Sequence, residues 1–344
     1  MNQSSAPASA DPFPLAEART RYQEWTRRLR SEGLLPVEFL LPRLEVPCSR
    51  DLPAMMASGA RIASPGDQVL RQRIRELGPW GYGIQLRPGL CTAPHAVALE
   101  RMIYRSHLIA ATVRSLLGEA FAQARCVDFA CNHGYFSLEL AYQGMREAAG
   151  FDLRAENVAK ARFLKDYFGI ANARFEQRDI YDLDPGDKYD VVLNLGVLYH
   201  ITDPYKLMEL SYKLCTRFAV VDSIMHKEPV SAFLQMVNKD TSSHAEGKFN
   251  VELHPTYRAV IDLMYAVGFK QVIEVVRAPL GEGRDCPHEL YDRLDRRCLI
   301  GFKEPVDLPG LRPAAEAPPV SARRAAPAAS ARGMANLWRR LRGR

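Results

Sequence analysis

No stretch of this 344-residue chain offers the roughly 18 uninterrupted apolar residues of a bilayer-spanning helix, so integral membrane association is not expected. The first residues, MNQSSAPASADPF, lack the basic start and apolar core of a secretory leader. Paired cysteines are missing too. The seven present are scattered at 48, 91, 126, 131, 215, 286 and 298 with no CxxC spacing. That argues against a disulfide framework or a zinc knuckle and fits a reducing compartment, so a cytoplasmic location and no metal site are expected. Acid is absent from one end. Residues 318–344 hold seven arginines (323, 324, 332, 339, 340, 342, 344) and no Asp or Glu. Removing those seven charges from the net +6 leaves about −1 for everything else. A near-neutral body is not what a dedicated nucleic-acid surface requires. The basic stretch Met334–Arg344 reads as a solvated end, with a short amphipathic segment for an anionic surface as its alternative.

What the chain does have is organisation. Residues 1–12 are Ser/Ala/Pro-rich and expected to be disordered. Residues 13–97 read as a mainly helical N-terminal cap. Within it, Tyr22, Trp25 and Leu29 share a helical face, prolines 36, 42 and 47 break the chain, residues 68–77 form an amphipathic helix, and Trp80–Leu86 alternates like a strand. From 98 to 305 strands and helices alternate. The apolar runs at 126–130, 148–152, 173–177, 190–194 and 218–222 read as strands, with helical spacing at 98–117, 134–145, 155–168, 204–214 and 254–267, and 271–276 and 297–302 form a closing antiparallel pair. This predicts an α/β fold: a Rossmann-like, mostly parallel seven-stranded sheet with helices on both faces. Residues 306–344 are Pro/Ala/Arg-rich and expected to be a disordered tail.

Chemistry concentrates where the first strand meets its helix, at Val127-Asp128-Phe-Ala130-Cys-Asn132-His-Gly134-Tyr135-Phe136-Ser137. Folds of this kind bind nucleotides there, and the backbone must turn sharply and approach a ligand closely. Ala130, Asn132 and Gly134 suit that turn, since Gly and Asn tolerate positive φ. A dinucleotide GxGxxG reading would put Tyr135 where a tiny residue must pack helix against strand, so the NAD reading fails. Asp152 ends the second strand, where an acid can accept both ribose hydroxyls of an adenosyl group. As a strand-end residue facing a crevice, its loss is expected to leave the ligand-free fold unchanged. Asp179, after the third strand, can accept from an adenine amino group, with the Ile180 amide meeting a ring nitrogen. His133 within the loop is expected to point to solvent.

With Asp128–Ser137, Asp152 and Asp179 in these positions, residues 98–303 resemble the class I S-adenosylmethionine-dependent methyltransferases. Ala130 and Asn132 stand where glycines are commoner in that family. Asp190–Pro204, including Leu195, Tyr199 and His200, is similar to the fourth motif of the branch related to the tRNA wobble-uridine carboxymethyltransferase. So are Pro79–Ile84, a His254-Pro255 helix start and Gly268-Phe269. The resemblance implies S-adenosyl-L-methionine as cofactor, with Leu195 and Tyr199 beside it. The tRNA enzyme grips a carboxylated cofactor with a Trp/Lys/Arg-rich stretch, which Arg87-Pro-Gly-Leu-Cys-Thr-Ala-Pro-His lacks, so plain S-adenosylmethionine is implied.

Methyl transfer is an in-line attack on a sulfonium methyl, so positioning and desolvation supply most of the rate. A base is required only for an acceptor whose proton has a high pKa. Tyr199 and His200 are the catalytic candidates, His200 by its intrinsic pKa and Tyr199 as a hydrogen-bonding group at the cofactor. Trp80 and Tyr82 can close over the sulfonium, where an aromatic face stabilises a cation. The expected activity is methyl transfer to a small-molecule acceptor, with the cap setting substrate choice. Three alternatives stand beside it: a tRNA-modifying methyltransferase, a lyase or cyclase acting on S-adenosylmethionine itself, and a non-catalytic cofactor-binding scaffold. Acceptor atom and oligomeric state have no signature in the sequence.

Overall fold

A computed structural model describes residues 41–312 apart from 48–50, 59–65, 94–95, 229, 238–250, 279–288 and 293. The predicted disorder of residues 1–12, the helix around Trp25 and all of the tail beyond 312 lie outside the described residues. The elements begin with β1 (Arg43–Val46), α1 (Ala54–Ser58), α2 (Asp67–Glu76), β2 (Gln85–Arg87), β3 (Leu90–Cys91) and α3 (Ala96–Leu117). Then come β4 (Arg125–Phe129), α4 (Tyr135–Tyr142), β5 (Glu147–Asp152), α5 (Ala155–Phe168), β6 (Ala173–Gln177), β7 (Tyr189–Leu195) and α6 (Pro204–Leu214). The chain closes with β8 (Cys215–Ile224), β9 (Phe233–Val237), β10 (Val251–Pro255), α7 (Tyr257–Ala266), β11 (Gln271–Arg277), α8 (Glu289–Asp292), β12 (Arg296–Phe302) and β13 (Leu311–Arg312).

The main sheet has nine strands, in the order β13-β1-β11-β12-β8-β7-β4-β5-β6. The expected seven-stranded sheet is its inner part: β6, β5, β4, β7 and β8 run parallel, and β12 is antiparallel to both β8 and β11. Two strands were not foreseen. β1 pairs parallel with β11, and β13 pairs antiparallel with β1. Its flanking prolines concealed β1, yet Pro42 still offers a carbonyl, which accepts from the Glu274 amide at 2.9 Å. Residues 13–97 are therefore not wholly a helical cap, since Arg43–Val46 belongs to the sheet, and β13 likewise brings Leu311–Arg312 into it. The alternating segment from Trp80 is a strand only over Gln85–Arg87.

The inner strands are apolar on both faces because both faces are covered. Along β8, Phe218 and Val220 join one core cluster while Ala219 and Val221 join the other. The first cluster takes Leu108 and Val113 of α3, Leu138 of α4 and Leu164 of α5, and the second takes Leu207 of α6 with Val260 and Met264 of α7. β9 and β10 form a separate antiparallel ribbon. His254-Pro255 was expected to open a helix; both residues instead end β10. The helix begins at Tyr257, after Thr256, whose hydroxyl accepts from the Ala259 amide at 3.2 Å.

Candidate functional site

The strand order reverses between β4 and β7, and ligands of open α/β sheets sit outside the carboxyl ends of the strands at such a point. A cavity of about 670 Å³ opens there, within the usual range for small-molecule sites. Its floor is the β4–α4 turn. Ala130 (φ 50°), Asn132 (φ 52°) and Gly134 (φ 70°) all adopt the left-handed conformation that the sequence suggested. A Cβ on Gly134 would lie 2.5 Å from the Phe175 ring and 2.8 Å from the Ala161 Cβ, so α4 can approach β6 and α5 only without one. Asp128 is buried beneath this turn, accepting from the Ser137 hydroxyl at 3.0 Å. Burial pushes its carboxyl up to about 7, against the pull of Ser137 and Arg105.

Asp152, Asp179 and Ile180 line one side of the cavity, and Tyr82, Leu195, Tyr199 and His200 the other. Asp152 differs from expectation in one respect. It is 5 % exposed and already accepts from the Asn132 amide (2.9 Å), the Arg154 amide (2.9 Å) and Asn157 Nδ2 (3.2 Å). Its carboxylate thus ties the β4–α4 turn to the start of α5, so its loss is expected to cost stability in the ligand-free protein as well. Asp179 turns its carboxylate to the Tyr181 amide at 3.0 Å while still lining the cavity.

Two aromatic expectations need correction. Trp80 is not in the cavity wall. Its ring packs edge-on against His133 at 4.9 Å, and its indole N–H donates to the Ile74 carbonyl. His133 does not face solvent: it is 3 % exposed, with the Tyr82 ring 5.5 Å away on its other flank. Burial first, then the charge of Lys160, takes its pKa down to about 3, so it is a neutral packing residue.

The structure adds a charge cluster that sequence reasoning missed. Arg105 from α3 and Arg296 from β12 both line the cavity and both donate to Asp222 Oδ1, at 2.9 and 2.8 Å. The Tyr291 hydroxyl donates to the other oxygen of this wholly buried carboxylate. Burial opposes the charge on Asp222, but the two guanidiniums outweigh it and hold its pKa below the ordinary value. The only available signal was an acid ending an apolar strand; its partners lie 117 and 74 positions away in sequence. A second missed group comes from β10. Glu252 lies 3.0 Å from His200 Nδ1, an ion-pair contact without a hydrogen bond, and 2.7 Å from His254 Nε2. Among the described residues, no cluster of His, Cys, Asp and Glu is arranged to hold a metal ion. Also among them, no helix is long and apolar enough to cross a membrane.

Comparison with known proteins agrees with this geometry. Residues 102–223 match the methyltransferase domain family. The tRNA U34 carboxymethyltransferase of Wolinella succinogenes is 28 % identical over 162 residues, covering 46 % of this chain and 56 % of that protein. The one from a Sulfurovum species is 24 % identical over 193 residues, covering 52 % and 58 %. The chain therefore spans somewhat over half the length of these curated relatives. Among solved structures, the N-terminal domain of EvdMO1, crystallised in the presence of SAH and D-fucose, superimposes with a TM-score of 0.51 at 19 % identity. It covers 71 % of this chain and all of that domain. That likeness establishes the fold, a Rossmann-like, mostly parallel α/β sheet.

Proposed function

We propose that the chain binds S-adenosylmethionine in the cavity at the β4/β7 crevice and is a methyltransferase whose acceptor is a tRNA. The observation that carries the first part is the convergence on one cavity of the positive-φ turn, Asp152 and Asp179. They come from three successive strand ends, with Tyr199 and His200 opposite. The residues fit such a cofactor. Asn132 Oδ1 is buried with no hydrogen-bond partner among the described residues, which leaves an acceptor for a ligand donor. Asp152 and Asp179 offer carboxylates for ribose hydroxyls and an adenine amine, and Ile180 and Leu195 offer apolar walls. When bound, S-adenosylmethionine supplies a methyl carbon on a cationic sulfonium, and an acceptor's electron pair replaces the carbon–sulfur bond. The chain's own part is to hold, orient and exclude water: Tyr82, Tyr135 and Phe136 supply aromatic lining to the cavity, and His200 stands ready to take a proton.

The tRNA acceptor rests on the names of the curated relatives, supported by Arg154, Arg178 and Lys206 at the cavity beside the exposed Leu153 and Tyr205. The near-neutral body favours a small molecule, whereas the names of the curated relatives favour the tRNA alternative. The transferred group is written as methyl because Arg87–Cys91 and the residues after it lack the Trp/Lys/Arg-rich stretch of the carboxylated-cofactor enzymes.

The test is direct. S-adenosylmethionine and S-adenosylhomocysteine should each raise the melting temperature, and NAD should not. Labelled methyl should pass to unfractionated tRNA, with binding that weakens steeply as salt rises. A thermal shift with NAD alone overturns the cofactor. Methylthioadenosine formed from S-adenosylmethionine without any acceptor overturns methyl transfer in favour of a lyase.

A further inference from the structure

Resting on the reading of this cavity as a methyl-transfer site, we propose that Glu252 is a positioning residue for His200. From the β9–β10 ribbon it fixes the imidazole with its proton on Nδ1, leaving Nε2 as the base that receives the acceptor's proton.

The argument begins with strand periodicity. Residues two apart on a strand share a face, so Glu252 and His254 project together from β10. β9 sets the register, with Glu252 opposite Met236 and His254 opposite Leu234. The ribbon lies across the turn Leu198–His200 that follows β7, and so brings both side chains to His200 and Tyr199. Glu252 Oε1 is 3.0 Å from His200 Nδ1, Oε2 is 2.7 Å from His254 Nε2, and the Tyr199 ring centroid is 4.1 Å from that of His200. His200 and Tyr199 line the cavity, whereas Glu252 and His254 stand behind them.

A ribbon that merely covered the end of the sheet would be served better by apolar side chains at these two inward positions, since burying a carboxylate costs free energy unless it is paired. Instead one largely buried carboxylate is shared by two imidazoles, which hold Glu252 down to about 2, His200 contributing most. An ionised oxygen beside Nδ1 favours the tautomer with hydrogen there, because the other tautomer would turn a lone pair toward the negative charge. The acceptor's proton can then pass to Nε2 and from the imidazolium to solvent. Other charged or titratable groups face this cluster. His226, 5.8 Å from His254 between ring centroids, lies beside Glu228; Arg296 reaches the Gly196 turn but is held by Asp222; Asp203 and Lys206 line the same cavity from the start of α6. None of these stands between Glu252 and His200.

The experiment is long-range ¹H–¹⁵N spectroscopy of the full chain, free and with S-adenosylhomocysteine. In the parent, neutral His200 should carry its proton on Nδ1. In Glu252→Gln the proton should shift toward Nε2, because the charge that favours hydrogen on Nδ1 is gone. The variant should bind S-adenosylhomocysteine like the parent, since Glu252 is outside the cavity wall. On unfractionated tRNA its kcat should drop about tenfold or more with KM little changed. A parent His200 protonated on Nε2 overturns the proposal without recourse to any variant. So does a Glu252→Gln protein with the parent's tautomer. A parent that binds no S-adenosylhomocysteine would overturn the cofactor reading instead. Because the tautomer is also read on the free protein, the two failures remain separate.

Discussion

Asp152 shows how one side chain can be both part of a site and part of the scaffold. A carboxylate offers about four lone-pair positions, and three are already taken by the Asn132 amide, the Arg154 amide and the Asn157 side chain. The remaining capacity faces the cavity. Replacing Asp152 by Ala leaves those donors unpaired, at roughly 1–3 kcal/mol for each that water cannot reach, so the free protein should lose stability measurably in urea. Asp152→Asn keeps one acceptor oxygen and the shape. It should unfold at a urea concentration between those of the parent and Asp152→Ala, while binding S-adenosylhomocysteine about tenfold more weakly or worse by calorimetric titration. Parent-like urea midpoints in both variants would mean that the turn does not depend on this carboxylate. Parent-like cofactor affinity would mean that the ribose lies elsewhere.

At the scale of elements, what was legible followed from how locally each element is specified. The parallel strands could be read because burial on both faces writes an apolar run, as in Val191-Val192-Leu193, and the turn after β4 because positive φ limits the residue choice. β1 could not be read. Arg-Leu-Glu-Val is half charged, and its inward arginine makes sense only beside Glu274, 231 positions later. β10 was hidden for a different reason: Val-Glu-Leu-His-Pro is a short alternation whose two polar residues serve His200 and Tyr199, and its His254-Pro255 end reads as the start of a helix. Of the cavity, the strand-end turn, Asp152 and Asp179 were legible; the Arg105–Asp222–Arg296 cluster and the contact of Glu252 with His200 were not, since each forms only through tertiary packing. The same logic gives a prediction for the sheet edge. Glu274 on β11, 1 % exposed, accepts from Arg43 of β1 and Arg297 of β12, each at 3.0 Å. Glu274→Gln leaves two buried guanidiniums without a counter-charge, which should cost about 3–5 kcal/mol. Urea unfolding at neutral pH measures it. A change below about 0.5 kcal/mol would place this cluster with ordinary surface pairs.

For the whole molecule the decisive quantity is where the charge lies. The net +6 belongs to residues 318–344, whose seven arginines meet no acid, while the rest of the chain sums to about −1. For a small-molecule acceptor such a segment has no work to do, and its removal should change nothing. A tRNA acceptor reverses that expectation. Phosphate neutralisation by Arg and Lys dominates nucleic-acid affinity, and each contact contributes about 0.7–0.9 to the slope of log K against log salt. The body offers Arg154, Arg178 and Lys206 near the cavity, with Asp179 and Asp203 among them, so further positive charge must come from elsewhere in the chain. Deleting 318–344 should therefore leave the melting temperature and S-adenosylhomocysteine affinity as they are. The same deletion should weaken tRNA binding by about tenfold or more at ~0.1 M salt and flatten the salt dependence by several units of slope. Filter binding across a salt series measures both quantities. A truncated chain with the parent's affinity and slope would return the tail to a solvated end and remove the electrostatic support for a tRNA acceptor. The small-molecule reading, with Tyr82, Tyr135 and Phe136 of the cavity lining as its specificity element, would then be the one to pursue.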